Sequence, residues 1–331
     1  MADWIALSDR IDPPPAAQAV LERGLFVLEF ALPIVEPAVL LHWKSDTNTL
    51  SVFFDPDTGL SVLHRQGSAV KRHVLKGPLP QRSGTARMSL SYDAAPDTPR
   101  QHWQLTYDVL GESLVCIATG PHPLALTHAD LHALCTGAEG SKRHNATLWF
   151  GATNADILPD RAPWIGLNTP VETRRGPVRA SLLKPGDLIA TLDHGFLPLQ
   201  GLIHRSLPSR GSFAPVVLRS PFFGLTQDIL VSSDQLVLIS GASVEYLYGV
   251  EEALISAGSL CDNQVAVKDE RRALTDSVAL DFGRPVTFTA DGCCLMSAYG
   301  TGAQLPYRAL MDYEALPLLT LLGRTALRHV A

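Results

Sequence analysis

The chain has 331 residues, enough for two domains that each bury a core, and its 46% hydrophobic and 18% charged content marks a folded chain and not a disordered one. A formal net charge of -6 with no basic stripe speaks against a nucleic-acid footprint, and no apolar run reaches the ~18 residues needed to cross a bilayer. The first twenty residues carry acidic groups, no basic n-region and no long apolar stretch, so no cleaved signal peptide is expected; the protein is expected to be cytoplasmic or exported by a signal-less route.

In chain order, a proline-rich lead-in over residues 11–17 gives way to alternating apolar residues from Leu25 to Val39, interrupted by Pro33 and Pro37. Because proline has no N–H to give a ladder, this stretch is expected as an edge or irregular strand. Strand signals then recur at sandwich spacing over residues 39–43, 49–54, 60–63, 86–92, 103–107, 114–118 and 147–151. Between them lie the turns Asp55-Pro56-Asp57-Thr58-Gly59, Gly77-Pro78, Asp97-Thr98-Pro99 and Gly120-Pro121. One helix is expected from Thr127 to Cys135, with Thr127 as N-cap and Gly137 just past its end. The strand rhythm, the 55–59 turn and the closing strand at 148–151 resemble the concanavalin-like jelly-roll family. That resemblance implies two antiparallel sheets and a sugar- or peptide-binding face.

Candidate binding residues follow from this reading. Trp43, Trp103 and Trp149 are able to stack on a sugar ring, although strand tryptophans more commonly fill a core. Asp55 and Asp57 are oxygen ligands at calcium-compatible spacing, but turn duty alone explains them. His128 and His132 stand at i, i+4 on the expected helix without the glutamate of a His-Glu-x-x-His motif. Five cysteines, Cys116, Cys135, Cys261, Cys293 and Cys294, form no metal or redox spacing and are expected as reduced, mostly buried thiols. No metal and no cofactor is expected. A partner, if the first half has one, is expected to be a glycan or a protein.

Residues 154–165, with Pro159 and Pro163, read as a short connector, dividing the chain into 1–158 and 159–331. Beyond it, Val178, Ala180 and Leu182 alternate with polar neighbours, Lys184-Pro185-Gly186-Asp187 makes a tight turn, and Leu188–Leu192 runs on to Asp193-His194-Gly195. Further strands are expected at 216–218, 229–231, 244–248, 286–289 and 294–297. A helical or turn segment is expected at 250–257, and an apolar docking helix at 307–320 that Pro317 would end or kink.

Thr169-Pro170, the 184–187 turn and Ser232-Ser233-Asp234-Gln235, taken in that order, resemble the Hedgehog/intein (Hint) autoprocessing family, in particular its bacterial branch. The resemblance covers roughly residues 160 to 315 and implies a horseshoe-shaped β-fold. It also implies a Cys or Ser at position 167 that attacks the preceding carbonyl, and a His at position 235 that protonates the leaving amide nitrogen. Here those positions hold Leu167 and Gln235, neither of which can do that chemistry. Thr169 is the nearest remaining hydroxyl, with His194 or His204 as a substitute base, but Pro170 restricts it to extended conformations. Cys261 lies far from the module's start. No other nucleophile or phosphate-binding motif is present.

The expectation is an all-β protein: an N-terminal jelly-roll-like β-sandwich followed by a Hint-type fold with a degenerate site at Leu167, Thr169, Ser232 and Gln235. It is expected to act as a non-catalytic binding or structural protein. Residual self-cleavage and carbohydrate or peptide binding by the sandwich are the two alternatives.

Overall fold

A computed structural model describes residues 4–9, 20–98, 101–155, 157–158, 162–300 and 302–320. The chain divides into two compact units, Met1–Leu158 and Pro159–Ala331, each built on antiparallel β-sheets.

In the first unit, one sheet runs in the order Trp4–Leu7, Thr147–Thr153, Arg23–Leu32, Gly84–Asp93, His102–Val109, Val115–Pro121. A second runs Lys142–Arg143, Ala38–Lys44, Asn48–Asp55, Gly59–Gln66, Ala69–Lys76. Alternate residues of both sheets, among them Phe26, Leu28 and Phe30 from one and Leu50, Val52 and Phe54 from the other, share one buried cluster, as the period of two of a strand demands. Phe30 meets Phe54 edge-on at 5.2 Å between ring centroids. Each such buried side chain contributes about 1.5–3 kcal/mol, so the interleaved faces hold this sandwich together.

The turn signals are met locally. Asp55 accepts from the backbone N of Asp57 at 3.0 Å and from the Thr58 hydroxyl at 2.6 Å. Gly59 has a φ of +114°, and a Cβ there would lie 2.0 Å from the Leu75 carbonyl oxygen, so only glycine fits. Helix α1 (His128–Thr136) is capped by Thr127, whose hydroxyl accepts from Asp130 N at 3.1 Å, and ends at left-handed Gly137.

One expectation is corrected here. Arg23–Leu32 is a regular ten-residue strand paired on both sides, not an edge or irregular one. Pro33 follows its last residue and Pro37 precedes the next strand, so neither interrupts a ladder.

The second unit has a sheet ordered Gly201–Pro208, Leu274–Asp281, Ile165–Gly166, Ile229–Val231, Val216–Leu218, Ala266–Lys268. Its larger sheet runs Gly176–Arg179, Pro170–Thr173, Leu188–Thr191, Thr287–Ala290, Cys293–Met296, Leu236–Ser240, Glu252–Ser256, with Gly195–Pro198 paired to Leu188–Thr191. The 184–187 turn is closed by Asp187 N donating to Lys184 O at 3.0 Å and Lys184 N donating to the Asp187 carboxylate at 2.8 Å. Gly186 supplies the positive φ of 94° after Pro185.

Four local expectations fail in this unit. Residues 244–248 belong to helix α2 (Ala242–Tyr248), ended by left-handed Gly249, and not to a strand. Residues 252–256 form a strand, not a helix or turn, with Ala253, Leu254 and Ile255 fully buried. The strand carrying Val178 stops at Arg179; Ala180–Leu182 is one 3-10 turn with Leu182 exposed. The helix expected over 307–320 begins only at residue 315, after the 3-10 turn Asp312–Glu314, and Pro317 stands in its first turn, where its missing N–H costs no bond.

Candidate functional site

The strand Ile165–Gly166 leads to position 167 from the middle of its sheet. Ile165 pairs with Val231 on one side and Val278 on the other. Just before it, Trp164 and Ser232 are joined twice: Ser232 N donates to Trp164 O at 3.0 Å, and Trp164 N donates to the Ser232 hydroxyl at 3.3 Å. The 232–235 turn is thereby fixed beside the chain that enters residue 167.

After Gly166 the backbone turns at once, with Thr169 N donating to Gly166 O at 3.0 Å. Leu167 O then accepts from Ser181 N at 2.9 Å and Thr169 O from Ala180 N at 2.8 Å. Leu167 is half-buried against the main core of the unit, while Thr169 is only 3% exposed. An aliphatic side chain at position 167, where the nucleophile was expected, contributes packing and offers no lone pair.

Gln235 closes the neighbouring turn through its N–H to Ser232 O at 3.1 Å. Its side chain is 1% exposed, and Nε2 donates to Leu236 O at 3.1 Å and to Met296 O at 2.8 Å. Both amide protons are therefore committed to backbone carbonyls, and a carboxamide does not titrate. Ser233 O accepts from Gly258 N at 2.8 Å, and a Cβ on Gly258 would sit 2.3 Å from the Ser233 hydroxyl. This close approach ties the turn to the 258–260 segment.

Ser232 and Gln235 thus share one turn, anchored to the strand that leads into Leu167 and Thr169. The substitute bases are elsewhere. His194 is exposed in the hairpin turn of the larger sheet. His204 is exposed two strands away from Ile165, in register with Val278. Two strand spacings, about 9.6 Å, separate His204 from Ile165.

The thiols offer no replacement. All five cysteines are free, but only Cys293 is buried, a correction to their expected placement; the other four are half-buried. Burial pushes the thiols of Cys261, Cys293 and Cys294 up from their usual range, disfavouring the nucleophilic thiolate.

In the first unit the candidate binding residues do not converge. Trp149 is 1% exposed and its indole Nε1 donates to the buried Glu29 carboxylate at 2.7 Å, which Arg87 also holds at 3.0 Å. Trp43 lies in the sandwich core at 7% exposure. Neither presents a ring face for a sugar. Trp103 is half-buried, with its ring 4.6 Å from that of His73 and against Gly120. Asp55 is occupied by its own turn, and Asp57 is exposed beside it. Among the described residues no group of three His, Cys, Asp or Glu side chains is placed to hold a metal, and no helix is long and apolar enough to cross a membrane.

The Trp164–Ser232 pairing and the Gly258 approach have no signal in the sequence, since each joins segments tens of residues apart. The turn residues 232–235 did have one, their order after Thr169-Pro170 and the 184–187 turn.

Residues 166–301 match the family model described as Hint domain, a match that starts one residue before Leu167 and takes in Thr169, Ser232 and Gln235. The second unit carries a Hint domain. Among solved structures, the mouse laminin alpha1 chain, domains LG4-5, is similar at 9% identity over 90% of this chain and 76% of that one, with a TM-score of 0.23. No curated protein matches the chain.

Proposed function

We propose that this Hint domain has lost self-cleavage and persists as a scaffold in a non-catalytic binding or structural protein. The observation that carries the reading is the state of Gln235: a buried amide with both donors spent on Leu236 O and Met296 O, while Leu167 fills the expected attack position. Acyl shift needs a nucleophilic atom at 167 and a group able to protonate the leaving nitrogen, and the two residues supply neither. Loss of the general acid alone would cost about 10²- to 10⁴-fold, whereas loss of the attacking atom removes the covalent route.

Cleavage through Thr169 has less support, because that side chain is buried and precedes Pro170, whereas His194 and His204 are both exposed. The test is reconstruction. Leu167→Cys with Gln235→His is expected to give thiol-induced cleavage between residues 166 and 167 that neither single variant nor the parent gives. Cleavage by the parent at the same bond would overturn the reading.

A further inference from the structure

The five-stranded sheet of the first unit has an outward face of unusual charge for a chain whose net charge is -6. In an antiparallel sheet, directly paired residues point to the same side, so the register defines that face row by row. One row is Lys142, His42, Ser51, Leu63, Arg72. The row on one side is Lys44, Thr49, Arg65, Val70, and on the other Val39, Phe53, Ser61, Val74. These three rows hold four permanent cations, one histidine and no carboxylate. Lys44, Arg72 and Lys142 are exposed and Arg65 is half-exposed. None of the four makes an ion pair among the described residues: the Arg65 guanidinium donates to Gly67 O at 3.0 Å, and Arg72 reaches only the Ser61 hydroxyl at 3.4 Å. Asp55, in the row beyond Phe53, spends its carboxylate on the 55–58 turn.

Between the cations the small side chains of Thr49 and Ser51 are covered, at 8% and 1% exposure. Val39, Phe53 and Val74, one row over, are 42%, 37% and 38% exposed. The face therefore sets a band of cations, without ion pairs among the described residues, beside an apolar strip. Lys142 and Arg72 stand four strand spacings apart, about 19 Å, so the band suits an extended ligand and not a single small anion.

We infer that this face binds a linear anionic polysaccharide, one carrying sulfate or carboxylate groups along its length. The cations meet the charged groups and the Val39–Phe53–Val74 strip meets the apolar faces of the sugar rings. Like-signed charges crowded on one face are unfavourable in the free protein, and a polyanion relieves that repulsion. A single-stranded nucleic acid fits less well, because it calls for several aromatic platforms for successive bases and the three rows contain only Phe53. This site is separate from the three tryptophans and independent of the chemistry at residues 167 and 235.

The experiment is titration of the full chain with heparin oligosaccharides at low and moderate salt, beside neutral dextran and single-stranded oligothymidylate of matched length. The expected result is saturable heparin binding that weakens steeply with salt, with no dextran binding and weaker oligothymidylate binding. Lys44→Glu with Arg72→Glu is expected to weaken heparin at least tenfold with thermal unfolding unchanged within a few degrees. The same charge change at Arg174 and Lys184, on the other unit, is expected to weaken it less than threefold. No heparin binding, equal loss in both double variants, or tighter binding of the oligothymidylate would each overturn the proposal.

Discussion

Gln235 donates from its buried side chain to the carbonyl of Met296 at 2.8 Å, joining the turn after Ile229–Val231 to the end of the strand Cys293–Met296. The position expected to carry a titrating group is thus occupied by a structural clasp. Replacing Gln235 with Leu leaves the Leu236 and Met296 carbonyls without that donor, at a cost of about 1–3 kcal/mol. Urea denaturation is expected to show a lowered midpoint with an unchanged slope; an unaltered midpoint would mean that the clasp contributes nothing.

The buried trio Glu29, Arg87 and Trp149 makes a contrasting prediction in the first unit. Trp149→Phe keeps most of the ring and removes the indole bond to Glu29, so a loss of about 1–3 kcal/mol is expected. Trp149→Ala is expected to cost about 3–5 kcal/mol. Glu29→Ala, which takes the buried carboxylate away from the Arg87 guanidinium, is expected to cost a similar ~3–5 kcal/mol. Thermal unfolding of the three variants checks the order; a Trp149→Ala protein of wild-type stability would make that residue a binding candidate again.

Two histidines on the inner face of the five-stranded sheet set a pH dependence. His64 and His73 are each 2% exposed, and His64 Nε2 and His73 Nδ1 reach no partner among the described residues. Burial lowers both to about 4, helped at His64 by the charge of His73 and at His73 by that of Lys71. The native state holds them neutral while the unfolded chain takes up protons below its own value near 6.5. Stability is therefore full above about pH 6.5, falls as the pH drops from there to about 4, and levels off below that. Each tenfold difference in proton affinity between the folded and unfolded chain is worth about 1.4 kcal/mol, so the loss is on the order of several kcal/mol. His64→Leu is expected to flatten the slope in that window; an unchanged slope would assign the acid sensitivity elsewhere.

Gly59→Ala is expected to destabilise the first unit by more than the ~1 kcal/mol that an ordinary glycine exchange costs, because the new Cβ would lie 2.0 Å from Leu75 O at a φ of +114°. Denaturant midpoints for Gly59→Ala and for Gly67→Ala, where nothing lies within 4 Å, separate crowding from backbone conformation alone.

Much of the architecture is legible in local sequence because it rests on local chemistry. Thr127 and Gly137 bracket α1 by capping, and Pro185-Gly186-Asp187 closes its turn by its own bonds. Where the sequence misleads, tertiary packing decides. Val244 to Tyr248 has strand-favouring residue types, yet it winds into a helix that buries Val244 and ends at Gly249. Ala253-Leu254-Ile255 is too short an apolar run to reveal its period, and only pairing with Leu236–Ser240 makes it a strand. At the candidate site, the identities at 167 and 235 are plain from the sequence. The two carbonyls that hold Gln235, and the Trp164–Ser232 pair, are set by strand register and could not be seen there.

A lost self-cleavage requires above all that the bond between Gly166 and Leu167 survive. Intact-mass measurement on the purified full chain, incubated at neutral pH with and without a millimolar thiol, tests this most directly. One unchanged full-length mass under both conditions is the predicted result. A thiol-dependent fragment ending at Gly166 would contradict the account.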